Sequence, residues 1–290
     1  MQARWISRIQ KGFLILGVGG ALTACKGDDP WEPDAEWIAM AGGDADSELA
    51  KRLNVELRLI LPREPKKNWV FDGYTNSRTG EVAWSRSWTS KIDFTGVSWD
   101  KSKNLTMITP RHALMAKHYM RKHGDTVVFH DREGQQVKRV LVGMRKLPGV
   151  DVGVGILDEA VPPGIKIYKL LEPSESFATD LVGALALITD NERLVHVHEI
   201  SAIRGTYVSF QQARTLPEGF FEDLVRGDSG NPSFLMVRGE PVLLETHHFG
   251  GAGSGPFLGD AQIQEGIALA IADLAPTAGG GEYAISTVVP

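Results

Sequence analysis

Cysteine is almost absent: Cys25 is the single one in 290 residues. No disulfide can form within the chain, so the fold has to be held by its apolar core, which this length permits. Basic residues are also in the minority, 31 Lys and Arg against 36 Asp and Glu, for a net charge of −5. Without a basic patch, nucleic acid is not an expected partner. The longest apolar run near the start covers only residues 12–21, too short to span a bilayer comfortably as a mature helix. No His-Glu-X-X-His segment and no internal repeat occur, which removes the helical zinc-hydrolase signature and the solenoid architectures. What remains is ordinary globular composition, 42 % hydrophobic and 23 % charged.

The first residues read as a targeting segment. Arg4, Arg8 and Lys11 precede the apolar run, and small residues follow it, ending at Leu22-Thr23-Ala24-Cys25. This last tetrad resembles the lipobox of bacterial lipoproteins. The resemblance implies a signal peptide over 1–24 and lipidation of Cys25. It further implies export, with a lipid anchor in a bacterial membrane, on the periplasmic face or the cell surface. Residues 26–50 carry eight acids against one lysine, the composition of a solvated, self-repelling linker, so 25–50 is expected to be an acidic tether.

Beyond Asn54 short apolar runs alternate with Gly, Pro, Asn and Asp. Strands are expected over 55–61, 69–71, 105–109, 127–130, 137–144, 152–157, 165–170, 181–189, 194–203, 207–211, 233–237, 242–247 and 283–289. Such a series predicts an all-β barrel or sandwich. The alternation in Val195-His196-Val197-His198-Glu199-Ile200 puts both histidines on the polar face of a half-buried strand. Residues 260–274 differ: Ile263, Ile267, Ile271 and Leu274 recur at helical spacing behind Asp260, a plausible N-cap.

The strongest chemical signal is Gly227-Asp228-Ser229-Gly230-Asn231-Pro232. A serine hydroxyl is a poor nucleophile until a base takes its proton, and acyl transfer needs backbone N–H groups aimed at the developing oxyanion. Glycines on either side of Ser229 permit the sharp turn this requires. The segment resembles the nucleophile motif of chymotrypsin-like serine peptidases, with Asn231 in place of the usual glycine. Thr109-Pro110-Arg111-His112-Ala113 is similar to that family's histidine motif. Asp151, opening the apolar run 152–157, is similar to its aspartate. The order His112, Asp151, Ser229, at intervals of 39 and 78 residues, is the family's order.

The resemblance implies two six-stranded antiparallel β-barrels, an N-terminal lobe over 51–160 and a C-terminal lobe over 161–290 that includes the helix 260–274. It implies a serine endopeptidase acting on protein or peptide substrates. In it His112 is the general base, Asp151 its orienter, Ser229 the nucleophile, and the Gly227 and Ser229 amides the oxyanion hole. Asp223, six residues before Ser229, would lie at the base of the primary substrate pocket, with Thr246, His247 and His248 on its wall. Two histidines there suggest a narrowed pocket or a different cleft. Asp228 is expected to find an internal partner. No metal and no cofactor are expected. The alternatives are a non-catalytic binding or scaffold protein on the same fold, and a metal enzyme using His196, His198, Glu199 and His247 or His248.

Overall fold

The computed structural model describes residues 45–65, 68–74, 80–100, 102–278 and 281–290, together with residues 36 and 40. Cys25, the signal segment and most of the tether lie outside the described residues. The first described helix, α1 (Glu48–Arg58), starts inside the segment read as a tether. Ser47 caps it, its Oγ accepting from the Ala50 amide at 2.9 Å. Ala50, Leu53, Asn54 and Leu57 form its buried face. The strand expected over 55–61 is therefore the last turn of a helix and the turn after it. The apolar alternation Val55-Glu56-Leu57-Arg58-Leu59 imitates a strand, but the longer spacing 50, 53, 57 is helical.

The strands follow in chain order as β1 (Phe71–Tyr74), β2 (Val82–Trp84), β3 (Thr106–Met107), β4 (His112–Ala116), β5 (Thr126–His130), β6 (Gln136–Lys146) and β7 (Val152–Leu157). Next come β8 (Leu170–Leu171), a short helix α2 (Phe177–Asp180), β9 (Leu185–Thr189), β10 (Val195–Arg204) and β11 (Tyr207–Gln212). Last are β12 (Pro232–Val237), β13 (Glu240–Thr246), β14 (Ser254–Pro256), α3 (Ala261–Leu274) and β15 (Thr287–Val288). β1 and β2 pair as a small hairpin. A five-stranded sheet runs β3-β4-β7-β6-β5, and an eight-stranded sheet runs β14-β11-β10-β9-β12-β13-β8-β15. The protein is thus mostly β, with two curled, half-barrel sheets and few helices. The observed pairing of five and eight strands differs from two sets of six.

β4 is buried along its whole length because it has cores on both faces. Ala113 and Met115 join Met107, Val127, Phe129 and Leu141 inside the first sheet. Leu114 points the other way, with Val152, Val154 and Ile156 of β7, into a core shared with Leu185, Leu187, Val195, Val197 and Phe234 of the second sheet. This alternation is the two-residue period of a strand. Helix α3 closes the shared core with Ile263, Ile267, Ile271 and Leu274, each burial stabilising by about 2 kcal/mol. Asp260 caps it, accepting from the Gln262 and Ile263 amides, as its sequence predicts. Among the described residues no helix is long and apolar enough to cross a membrane.

Candidate active site

The pairing of β4 with β7 decides which histidine meets Asp151. Ala116 at the end of β4 is opposite Val152 at the start of β7, while His112 is opposite Ile156. Asp151 precedes Val152 and so lies beside the short turn Lys117–Tyr119 that follows β4. There the His118 amide donates to Asp151 Oδ1 at 2.8 Å. The His118 ring Nδ1 lies 2.6 Å from Oδ2, and Nε2 lies 2.9 Å from Ser229 Oγ. Ser229, His118 and Asp151 form one continuous hydrogen-bonded line. The Asp151 side chain is 6 % exposed and that of His118 41 %, so the acid is buried under an imidazole that opens to solvent.

His112 is not part of this line. Its pairing partner Ile156 is five residues along β7 from Asp151, roughly 16 Å at the rise of a strand. Its ring is fully buried, with Nδ1 2.9 Å from Thr109 Oγ1 and an edge-on contact to Tyr283. Burial, followed by the charge of Arg111, pushes its pKa down to about 4. The Thr109–His112 spacing encodes a turn instead: Thr109 Oγ1 accepts from the amides of Arg111 and His112. The signal for His118 was present in the sequence. The apolar run 113–116 leads into Lys117-His118, placing a histidine just past a strand end, whereas His112 stands at a strand start.

The serine loop is anchored from below. Asp228 is 2 % exposed. Its Oδ2 accepts from the Val225 amide at 2.6 Å, and its Oδ1 accepts from the Asn191 amide at 2.9 Å and from Asn191 Nδ2 at 2.6 Å. Asn191 is thus the internal partner expected for it. Gly227 at φ +119° and Gly230 at φ +89° occupy backbone regions that side chains rarely adopt. Gly230 also sits against Ala116, where an added Cβ would meet the Ala116 amide at 3.4 Å. This close approach brings the Ser229 turn to the end of β4. Asn231, where the resemblance has glycine, is buried and accepts a hydrogen bond from Asn104 Nδ2, linking the loop to the first sheet. The amides of Gly227 and Ser229 donate to no other described residue, leaving two free donors on either side of Asp228.

The residues expected to form a pocket differ in exposure. Asp223 is exposed rather than at the floor of a cavity. Thr246 and His247 are buried. Beneath the serine loop, His247 Nδ1 lies 2.6 Å from Glu245 Oε1, Nε2 lies 2.9 Å from the Thr189 carbonyl, and Glu245 also accepts from Ser233 Oγ. Burial opposes the charged imidazole, but the Glu245 carboxylate outweighs it and raises the His247 pKa. Backbone bonds between Leu224 and Gly251, at 2.7 and 2.9 Å, tie the Asp223–Ser229 segment to the chain after β13.

His248 belongs to the site in another way. Its Nδ1 is 3.8 Å from Asp151 Oδ2 and 3.2 Å from the Tyr207 hydroxyl. Its ring stacks on Phe249 at 4.0 Å and lies tilted 5.1 Å from that of His118. His196 and His198, expected on a polar face, are buried. His196 Nε2 meets Asp190 Oδ2 at 2.9 Å. His198 meets the Ala252 carbonyl at 2.8 Å and packs on Phe221, and burial takes its pKa down to about 4. The outer face of β10 is covered there, so alternation did not mean exposure.

Chemically, the line from Ser229 through His118 to Asp151 can move a proton from a hydroxyl to an imidazole whose charged form is stabilised by a buried carboxylate. In comparisons with known proteins, no family model and no curated sequence matches the chain.

Proposed function

We propose that this protein is a serine hydrolase that cleaves peptide bonds, on a chymotrypsin-like arrangement of two β-barrels, exported and anchored by lipid at Cys25. The observation that carries the reading is the hydrogen-bonded line Ser229 Oγ, His118 Nε2 and His118 Nδ1, Asp151 Oδ2, with spacings of 2.9 and 2.6 Å. His118 takes the Ser229 proton as the hydroxyl attacks the substrate carbonyl, then passes it to the leaving amine. Asp151 holds the ring with its Nδ1 protonated and stabilises the imidazolium. The Gly227 and Ser229 amides receive the oxyanion. Water, activated by His118, then releases the acyl group. His112 has no role in this sequence of steps.

The exposure of Asp223 argues against an acidic pocket floor there. The second reading is a binding or scaffold protein whose site is not used. Labelling with a fluorophosphonate separates the two. The hydrolase reading expects covalent labelling of the wild type, lost in Ser229→Ala and His118→Ala and retained in His112→Gln. An unlabelled, folded wild type would leave the scaffold reading standing.

A further inference from the structure

We propose that His118, Asp151 and His248 form a binding site for a divalent cation of the zinc class, and that a bound cation turns the Ser229 centre off. The inhibitory half rests on the hydrolase reading; the binding half does not. Among the described residues this is the one grouping of three such side chains whose donor atoms all lie within 4.8 Å of one another. Two imidazoles and one carboxylate are the donor set zinc favours, and three protein ligands leave a fourth position for water.

The donor spacings bracket those of a zinc site. Ligand atoms held at about 2.1 Å from a tetrahedral ion are about 3.4 Å apart. His118 Nδ1 and Asp151 Oδ2 are closer than that, at 2.6 Å, and His248 Nδ1 and Asp151 Oδ2 slightly farther, at 3.8 Å. All three spacings lie within 4.8 Å, so ring movements of up to about 1.4 Å reach the geometry. Both rings have room for this: the His118 side chain is 41 % exposed and that of His248 26 %. Asp151 needs no movement, since the His118 amide fixes its other oxygen. On binding, Tyr207 gives up its contact with His248 Nδ1. The metal grouping weighed from sequence, His196, His198 and His247 or His248 with Glu199, does not assemble among the described residues. His196 is engaged by Asp190 and His198 by a backbone carbonyl.

Inhibition follows from the tautomer. A cation on His118 Nδ1 uses the lone pair exposed when that nitrogen loses its proton, and the ring's single proton then resides on Nε2. Nε2 donates to Ser229 Oγ instead of accepting from it, so the hydroxyl has no base. No proton is gained or lost by the ring overall.

The test titrates zinc chloride into the full chain carrying Ser229→Ala, which keeps all three ligands and cannot turn over. One equivalent is expected to bind, with affinity at least tenfold weaker in His248→Ala and in Asp151→Asn. Nitrogen-15 spectra of the histidine rings provide a readout that does not depend on variants folding: zinc should shift the ring nitrogens of His118 and His248 and leave those of the buried His112. In the wild type, zinc should block fluorophosphonate labelling and a chelator restore it. Absence of one-to-one binding, or binding that leaves the His118 and His248 rings unshifted, overturns the site. Labelling that zinc does not slow overturns the inhibition. Binding as expected in a protein that never labels keeps the site and removes the hydrolase reading.

Discussion

His118 Nδ1 and Asp151 Oδ2 stand 2.6 Å apart across the end of the β4–β7 pair, while His112 at the other end of β4 faces Ile156. This single register places His118, and not the His112 expected from sequence, beside Asp151. His118→Ala should therefore lower turnover by on the order of 10³-fold or more, and His112→Gln should leave it within a fewfold. Fluorophosphonate labelling rates of the two variants make the comparison directly.

Asp151→Asn keeps the shape of the site but offers Nδ1 an amide in place of a carboxylate. The favoured tautomer then reverses and the imidazolium loses its counter-charge. A fall in turnover on the order of 10⁴-fold is expected, with thermal stability changing much less. Steady-state kinetics beside a thermal melt separates this from unfolding.

Asp228 gathers three donors beneath the serine loop. Asp228→Ala strands the Val225 and Asn191 amides and the Asn191 side chain. It should cost roughly 2–4 kcal/mol of stability and abolish labelling with it. Asn191→Ala removes one of the three bonds and should cost about 1–2 kcal/mol. Chemical denaturation of both variants measures the difference.

Gly230→Ala forces a side chain into φ +89° and against Ala116. The conformational strain is about 1–2 kcal/mol, and relief requires the loop to move away from β4. The distance between Ser229 and His118 should lengthen, so labelling should slow more than the loss of stability alone explains. Comparing the labelling rate with the fraction folded at the same temperature is the check.

The buried histidines set opposite pH limits. His112 and His198 have pKa values lowered to about 4, so their neutral forms are favoured in the folded state. The stability they contribute is complete above the unfolded value near 6.5 and is lost as pH falls from there towards 4, about 3 kcal/mol for each. His247, raised by Glu245, behaves the other way. Its contribution is complete below about 6.5 and is lost as pH rises through its folded value. Stability should fall on both sides of a maximum near neutrality. In His112→Leu the acid-side decline should be shallower, as thermal melts between pH 4 and 9 would register.

How much was legible in the sequence differs from residue to residue. The helix 261–274 was readable because four apolar residues at helical spacing follow a capping aspartate, and both signals are local. The turn around Ser229 was readable for the same reason: Gly227 and Gly230 announce backbone that only glycine adopts easily. The helix 48–58 was misread because its last turn alternates like a strand, and the packing of Ala50, Leu53 and Leu57 against the second sheet outweighs that local pattern. The burial of His196 and His198 was hidden because alternation reports which face a residue is on, not what covers it.

The sequence by itself determined the β-rich class, the absence of disulfides, the serine turn and the aspartate at a strand entrance, since each depends on neighbours along the chain. Tertiary structure decided which histidine serves them. A strand register is fixed by pairing between β4 and β7, 36 residues apart at Ala116 and Val152, and no local pattern encodes it. Packing of the second sheet, whose strand β13 leads into His248, brought that residue beside Asp151, and backbone bonds tie Leu224 to Gly251. All three depend on contacts between distant segments, where the physics of packing and pairing, rather than residue spacing, settles the outcome.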